Sequence, residues 1–205
     1  MTPDDYRRAT RLLARRYPVI RDLIRKYGPC GMAGAQKADH FTAIVQAITS
    51  QQLSTKAAAT IFRRVVALVD GGVPTPAGFA AVADTDLRTA GLSRQKITYV
   101  RDLCAKVQDG TLDLDALHAL DDESAIEAIT CVKGLGRWSA EMFLMFRLHR
   151  PDVMPVDDLG IVNALMRAYR LRKKPKAERM LKIAETWRPY RSVACWYLWR
   201  SLENS

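Results

Sequence analysis

The sequence has few cysteines and no long apolar run. Its 205 residues include only Cys30, Cys104, Cys131 and Cys195, and no two of them form a CxxC pair. This spacing argues against a zinc ribbon or a disulfide framework, so we expect all four to be packing residues. No stretch approaches the ~20 apolar residues that cross a bilayer, and the charged N-terminus lacks a signal-peptide core. We therefore expect an intracellular protein of the cytoplasm or nucleoid, with no membrane partner.

Acidic residues are also in short supply. The chain has 22 Asp and Glu residues against 32 Lys and Arg residues, which gives a formal net charge of +10 at pH 7. This balance favours a polyanionic partner, with nucleic acid first and an anionic membrane second, although a merely soluble basic protein has the same charge. Hydrophobic residues at 48% and charged residues at 26% are ordinary globular values, which argues against wholesale disorder.

Alternation of polar and apolar residues with a period of two is missing as well. No segment shows it between turn signals, so no strand is predicted. The apolar period is helical, and capping residues, glycines and prolines divide the chain into helices. The pattern predicts helices over 6–26 (one or two), 41–50, 55–69, 77–89, 94–107, 122–131, 137–149, 158–169, 177–187 and 190–202. We therefore predict an all-α fold with short loops and no repeat array.

The most informative local segment is CVKGLGRWSAEMF, residues 131–143. Two glycines one residue apart allow backbone angles that are closed to other residues, and a helix opens directly after them. Amides at a helix N-terminus bind phosphate readily, and positive side chains flank them here. Because a predicted helix also precedes the segment, its layout is that of a helix-hairpin-helix, which grips a DNA backbone without reading bases. The alternative is a tight turn with no ligand. The candidate backbone-binding residues are Lys133, Gly134, Leu135, Gly136 and Arg137.

A pair of aspartates follows about twenty residues later, at the start of another predicted helix. Aspartate is a preferred N-cap, so one of Asp157 and Asp158 is expected to cap this helix. Two adjacent carboxylates exceed what a cap requires. An ionised carboxylate that faces a pocket can stabilise a cationic sugar transition state, or orient a water that attacks it. Spacing alone leaves both the capping role and the catalytic role open.

Together these segments resemble the helix-hairpin-helix DNA glycosylase superfamily, and most closely its alkylpurine branch, DNA-3-methyladenine glycosylase II. The resemblance covers residues 38–202 and rests on FTAIVQAITSQQLSTKAA, GLSRQK, VKGLGRWSAEMF, MPVDDLGI and ETWRPYRSVACWYLW. It implies an all-α, two-lobed helical bundle with an active-site cleft between the lobes. Within one glycosylase domain spanning 1–205, we expect 38–110 and 111–170 to form the central region. The N-terminal segment and 171–205 would complete the second lobe.

The resemblance also implies roles for single residues. Asp158, directly before the Leu of DDLG, would be the catalytic aspartate, and Asp157 would then be a cap or would support it. Gln52 or Leu53 of QQLS would insert into the gap that a flipped base leaves. The aromatic pocket for that base would be lined by Trp138 and Trp199.

Two absences within the resemblance bear on the reaction. Bifunctional members carry a lysine two residues after the second hairpin glycine, where this chain has Trp138. The protein is therefore expected to hydrolyse the glycosidic bond and to leave the abasic strand uncut. Iron–sulfur members carry four closely spaced cysteines near the C-terminus, where this chain has only Cys195, so no cluster, metal or other cofactor is expected. The expected partner is double-stranded DNA with damaged bases, bound by a monomer.

The predicted activity is excision of alkylated purines, such as 3-methyladenine and 7-methylguanine, by base flipping in base excision repair. A non-catalytic module that grips the DNA backbone through its hairpin is one alternative. A glycosylase for another lesion, such as a deaminated or oxidised base, is the other.

The functions of two further basic features stay open. Lys96 is a candidate for a phosphate contact, and the basic run at 170–182 is either a solvated face or a phosphate-binding surface.

Overall fold

The computed structural model describes residues 1–34 and 39–203, and over these ranges it is helical with no strand. The all-α prediction is confirmed. The helices are α1 (Pro3–Arg16), α2 (Pro18–Tyr27), α3 (His40–Ser50), α4 (Thr55–Val66), α5 (Pro76–Ala81), α6 (Asp84–Ala90), α7 (Arg94–Gln108), α8 (Asp122–Thr130), α9 (Arg137–Phe146), α10 (Leu159–Ala168), α11 (Ala177–Ala184) and α12 (Arg191–Arg200). None of the helices in the described ranges is long and apolar enough to cross a membrane.

Several helices start at side-chain caps, each of which stabilises its helix by about 1 kcal/mol. Ser54, Ser93 and Asp121 accept hydrogen bonds from the backbone N–H groups of the first turns of α4, α7 and α8. The pattern over 77–89 was predicted as one helix, but the structure divides it into α5 and α6. The reason is tertiary, since the guanidinium of Arg101 in α7 donates hydrogen bonds to the carbonyls of Phe79 and Val82, where α5 ends.

The chain divides into two compact units, and the division falls within α9. Unit 1 comprises Met1–Gln36 and Glu141–Ser205. Its central element is α12, which packs against α1, α2 and α10 and buries most of its side chains. Tyr197 of α12 is fully buried, and its hydroxyl donates to the carbonyl of Gly28 at 2.8 Å. This central position explains why α12 is apolar on nearly all sides.

Unit 2 comprises Lys37–Ala140. Its core lies between α3 and α7, and α4, α5 and α6 pack around them. The buried side chains of α3 and α7 include Ile44, Val45 and Ile48 on the first helix and Val100 and Leu103 on the second. Burial of each such side chain stabilises the fold by roughly 1.5–3 kcal/mol. The two helices therefore hold the loops at their ends in place.

Three of the four cysteines pack as expected. Cys30, Cys104 and Cys195 are buried, and burial raises the pKa of the Cys104 thiol to about 11. The prediction is wrong for Cys131, which is exposed. Cys131 is the C-cap residue of α8, and its side chain projects outward while that of the next residue, Val132, is buried.

Candidate active site

Asp158, and not Asp157, has the capping role that the sequence left open within the aspartate pair. It is the N-cap of α10, and only 8% of its surface is exposed. Its Oδ1 accepts one hydrogen bond from the backbone N–H of Ile161 at 2.7 Å and another from the indole Nε1–H of Trp199 at 2.8 Å. These two donors fix the orientation of the carboxylate at the electropositive end of the helix.

Of the two roles that the resemblance implies for Asp157, the capping role is wrong, because Asp158 is the N-cap. A turn closed by the Asp158 N–H on the carbonyl of Pro155 precedes α10, so Asp157 lies inside this turn and is exposed. The extended backbone at Asp158 (φ −73°, ψ 115°) lets its side chain reach back over the first helical turn. Support of Asp158 by Asp157 stays a prediction.

Gly160 makes room for the bond between Trp199 and Asp158. A Cβ at this position would lie 2.9 Å from Asp158 Oδ1 and 3.1 Å from Trp199 Nε1. Those separations are shorter than normal side-chain contacts, so a larger residue would push the indole away from the carboxylate. Trp199 also packs against Phe146, with ring centroids 5.7 Å apart. The sequence predicted Trp199 as a pocket aromatic but did not predict its hydrogen bond.

Charged and polar side chains tie the segment before Asp158 to α12, the helix that carries Trp199. The Arg191 guanidinium donates to the Asp152 carboxylate at 2.8 Å, and Arg188 donates to the same carboxylate at 2.8 Å. The buried Ser192 hydroxyl donates to the carbonyl of Arg150 and accepts from the N–H of Val153. One helix therefore positions both the indole and the segment that leads to the carboxylate.

The two hairpin glycines have different structural reasons. Gly134 has φ +80°, and a Cβ there would overlap the ring of Tyr99 from α7. For both reasons, any residue other than glycine would strain the structure at this position. Gly136 lies directly before α9, and a Cβ there would meet no atom within 4 Å. Nothing within the described structure requires a glycine at this position. Its small size matters only if an external surface approaches it closely.

The remaining hairpin candidates are partly engaged inside unit 2. Leu135 is 6% exposed, and its N–H donates to the carbonyl of Val132 at 3.1 Å. The N–H of Lys133 donates to the Asp102 carboxylate at 2.8 Å. Arg137 forms an ion pair with Glu123, with one N···O distance of 3.1 Å. The N–H groups of Lys133 and Leu135 thus have acceptors within the hairpin and its support.

Asp102 holds the start of the hairpin. Its carboxylate also accepts from the Lys106 ammonium at 2.7 Å. Burial raises the pKa of Asp102, but hydrogen bonds from Lys106 and from the Lys133 N–H outweigh burial and lower it below the usual value. The sequence analysis missed Asp102. Its one available signal is the DxxxK spacing to Lys106 along α7, which is typical of a helical ion pair.

The loop that carries Gln52 and Leu53 projects from the end of α3. Gln52 has φ +57°, a conformation uncommon outside glycine, and both side chains are exposed. The Lys96 ammonium donates to the carbonyls of Thr49 and Gln51, both at 2.7 Å. Burial lowers the pKa of Lys96. Lys96 therefore braces this loop within unit 2, and its contact with a phosphate stays a prediction.

Gln51 joins this loop to the hairpin. Its side-chain amide donates to the carbonyl of Gly134 at 2.9 Å, across 83 residues of sequence. The sequence analysis did not identify Gln51, and no local pattern could have predicted the contact, because it depends on how α3 and the hairpin meet in unit 2.

The predicted aromatic pair is divided between the two units. Trp138, in the first turn of α9, belongs to unit 2 and is 47% exposed. Trp199 belongs to unit 1 and lies beside Asp158. A base pocket lined by both residues stays a prediction, as do the roles of Gln52 and Leu53.

A family profile and a curated relative both match this chain over most of its length. The sequence profile of the HhH-GPD superfamily base excision DNA repair proteins matches residues 45–189. DNA-3-methyladenine glycosylase 1 of Schizosaccharomyces pombe is 36% identical over 168 residues, which cover 81% of this chain and 74% of that protein.

Solved structures show the same likeness. The 3-methyladenine DNA glycosylase of the same yeast, in complex with abasic DNA, has a TM-score of 0.83 at 32% identity, over 95% of this chain and 96% of that chain. DNA-3-methyladenine glycosidase from Bacillus halodurans has a TM-score of 0.80 at 36% identity, over 94% of this chain and 87% of that chain. The chain belongs to the HhH-GPD superfamily of base excision DNA repair proteins.

Proposed function

We propose that this protein is a DNA glycosylase that excises alkylated purines from double-stranded DNA and acts as a monomer. The observation that carries the proposal is the Asp158 carboxylate, which is nearly buried at the N-terminus of α10 and oriented by the Ile161 N–H and the Trp199 indole. The names of the similar proteins, DNA-3-methyladenine glycosylase 1 and 3-methyladenine DNA glycosylase, support the same substrate class.

The proposed chemistry needs an oriented negative charge. Alkylation at N3 or N7 gives the purine a positive charge, so its glycosidic bond breaks with the bonding electrons leaving on the base. Positive charge then develops on the sugar carbon, and the carboxylate of Asp158 stabilises it. A water adds to that carbon and loses one proton, which leaves an abasic site and a free base. Preorientation of the carboxylate is useful because no reorganisation is needed as the charge develops.

Base selection fits the aromatic character of the site. A purine with a positive charge binds an electron-rich indole more strongly than a neutral purine does, by about 1–2 kcal/mol. Trp199 presents such an indole beside the carboxylate, and Trp138 is a second exposed indole. A site that relies on stacking rather than on many hydrogen bonds accepts several alkylated bases and discriminates among them modestly.

Unit 2 supplies the proposed grip on DNA. No neighbouring atom in the described structure requires a glycine at position 136. The open space at its Cβ position fits the close approach of a phosphate to the hairpin backbone. The exposed residues Gln52 and Leu53 are suited to fill the stack after a base is extruded, a step that costs a few kcal/mol. The hydrogen bond from Gln51 to Gly134 holds this loop and the hairpin in a fixed relative position.

We propose further that the enzyme has no lyase activity. Strand cleavage by bifunctional relatives of this fold needs a lysine amine at the position where this chain has Trp138. An indole nitrogen cannot form a Schiff base with the sugar. The abasic strand should therefore stay intact after base release, until alkali or another enzyme cuts it.

The test compares Asp158→Asn with Asp157→Asn on a methylated duplex under single-turnover conditions. We expect Asp158→Asn to slow release of 3-methyladenine and 7-methylguanine by about a thousandfold, because the charge that stabilises the transition state is gone. Asp157→Asn removes an exposed charge, so the support that we predict for Asp158 should be small, and we expect this variant to slow release by no more than about twofold. The strand is then analysed with and without alkali.

Each alternative has its own outcome in this assay. Full activity of Asp158→Asn would refute the assignment of the catalytic residue. Tight duplex binding without base release by the wild type would favour a non-catalytic binding module. Release of only deaminated or oxidised bases from a panel of single-lesion duplexes would refute the alkylpurine assignment, and nicking without alkali would refute the absence of lyase activity.

A further inference from the structure

One side of α7 contacts both elements of unit 2 that we propose to hold DNA. Lys96, Tyr99 and Asp102 lie three residues apart along α7, so each is a neighbour of the next on the helix surface. Lys96 contacts the loop at residues 51–53, the Gln52 loop. Tyr99 and Asp102 contact the hairpin at residues 133–136. A single helix therefore supports two elements that are about 80 residues apart in sequence.

Lys96 closes the C-terminal end of α3 from outside that helix. Its ammonium donates to the carbonyl of Thr49, in the last turn of α3, and to that of Gln51, the C-cap residue, both at 2.7 Å. The last carbonyls of a helix lack partners within it and carry the negative end of its dipole, so a cation stabilises them. The glycine that commonly follows a helix is absent here, and Gln52 has the left-handed conformation instead. Lys96 therefore supplies the C-terminal cap of α3.

The conformation of Gln52 depends on this support. A residue other than glycine keeps a positive φ only where its surroundings determine it. Two attachments at the preceding residue do so, because Lys96 donates to the carbonyl of Gln51 and the side-chain amide of Gln51 donates to the carbonyl of Gly134 at 2.9 Å. The side chains of Gln52 and Leu53 are exposed in this arrangement. The Gln52 loop is thus held in one conformation with both side chains presented outward.

The same helix sets the distance between the Gln52 loop and the hairpin. Asp102 accepts the N–H of Lys133 at 2.8 Å, and it lies six residues, about 9 Å, beyond Lys96 along the axis of α7. Tyr99 lies between them and packs so closely on Gly134 that a Cβ there would overlap its ring. Extrusion of a base needs the strand to be held while the vacated stack is filled. The separation of the two elements therefore matters for that step.

We propose that Lys96 is a positioning residue for base extrusion, because it holds the Gln52 loop in the conformation that enters the base stack. This inference rests on the proposed function, which makes Gln52 or Leu53 the inserted side chain. Lys96 acts through the backbone of the loop and needs no contact with the base or the reacting sugar. Its loss should slow extrusion and leave bond breaking at Asp158 unchanged.

The experiment separates extrusion from bond breaking by changing the cost of extrusion. Two duplexes carry the same 7-methylguanine, which is paired with cytosine in one and lies opposite an abasic-site analogue in the other. An unpaired base leaves the stack at a lower cost, so the second duplex needs less help from the loop. Base release is followed in a single turnover with protein at saturating concentration, which removes differences in affinity.

Lys96→Met keeps most of the length of the side chain and removes its charge and its N–H donors. We expect it to slow release from the paired duplex by about tenfold, which is the usual effect of losing a hydrogen bond from a charged group. Release from the unpaired duplex should slow by no more than about twofold. Gln51→Met removes the other attachment of the loop and should cause the same selective loss, of about threefold. Melting curves check that both variants are folded at the assay temperature.

The matched control is Lys56→Met. Lys56 is an exposed lysine in the first turn of α4, directly after the Gln52 loop. Its ammonium forms no hydrogen bond or ion pair with the residues that the structure describes. The control therefore removes one positive charge beside the loop without removing a loop attachment. We expect it to stay within about twofold of the wild-type rate on both duplexes.

Three results would overturn the positioning role. Lys96→Met could match the wild-type rate on both duplexes, which would limit Lys96 to an effect on affinity. It could slow release from both duplexes equally, which would place its effect on bond breaking or on the whole fold. Lys56→Met could show the same selective loss, which would make the charge and not the carbonyl bonds responsible. Failure of the proposed function is distinguishable, because the wild type would then release no base from either duplex, and this inference would fall with it.

Discussion

The N-termini of α9 and α10 use the same electropositive helix end in opposite ways. At α10, the Asp158 side chain lies at the helix end and accepts a hydrogen bond from the Ile161 N–H, so a carboxylate of the protein itself occupies this end. At α9, the residue before the helix is Gly136, which has no side chain to fill the end, and the space around it is open. One helix end holds its own carboxylate, and the other is suited to a phosphate from outside.

The difference shows how a single local motif can serve two kinds of chemistry. Where the chain supplies an aspartate, the helix end becomes a fixed anion that suits a cationic transition state. Where the chain supplies glycine, we propose that the helix end receives an anion. The surroundings match each role, because Trp199 and Gly160 orient the carboxylate at α10, while Tyr99 and Asp102 shape the hairpin before α9.

The largest effect in this comparison is expected at Gly134. In Gly134→Ala, the new Cβ overlaps the Tyr99 ring, and alanine disfavours the φ of +80°. We expect a loss of about 2–4 kcal/mol of unfolding free energy. For a chain of this length, that corresponds to a decrease in melting temperature of roughly 5–10 °C, measurable by calorimetry.

Gly136→Ala is the matched control for this prediction. Its Cβ enters open space, so the melting temperature should stay close to that of the wild type, while affinity for undamaged duplex should fall about tenfold because the backbone can no longer approach a phosphate closely. Equal destabilisation by both substitutions would show that the two glycines do not differ in role.

The next effect concerns the carboxylate at α10. Trp199→Phe keeps an aromatic ring against Phe146 but removes the N–H that donates to Asp158. We expect the single-turnover rate of base release to fall about tenfold to a hundredfold, which is the usual value of a hydrogen bond to a charged group. Phe146→Leu, which removes the ring contact and keeps the hydrogen bond, should have a smaller effect on this rate. The reverse order would contradict a positioning role for the indole.

The smallest effect is a pH dependence at the hairpin. Because the pKa of Asp102 is lowered in the folded state, its ionised form stabilises the fold at neutral pH. This stabilisation is present above the unfolded-state pKa of about 4 and is lost as the pH falls through the lower folded-state pKa. Asp102→Asn should therefore be less stable than the wild type at pH 7, by about 0.5–1 kcal/mol. The difference should shrink in acid unfolding curves below pH ~4, and a constant difference would contradict the assigned cause.

Much of the helical architecture could be predicted from local signals. Caps such as Ser54, Ser93 and Asp121 are short-range features, since each side chain bonds an amide three residues away. The same holds for the start of α10, although the sequence could not decide between Asp157 and Asp158. The single helix predicted over 77–89 failed because Arg101, from another helix, ends α5.

The sequence by itself determined the helices, the basic charge, the hairpin and the aspartate pair, because these depend on residue type and on spacings of a few residues. Tertiary structure alone decided which aspartate caps α10 and is buried, and that Trp199 donates to it. It also decided that Gln51, Lys96 and Asp102 brace the hairpin and the loop beside it. Those bonds join residues between 31 and 83 positions apart, apart from the cap itself. Their geometry exists only after the helices have packed, when burial makes each unpaired polar group costly and so selects its partner.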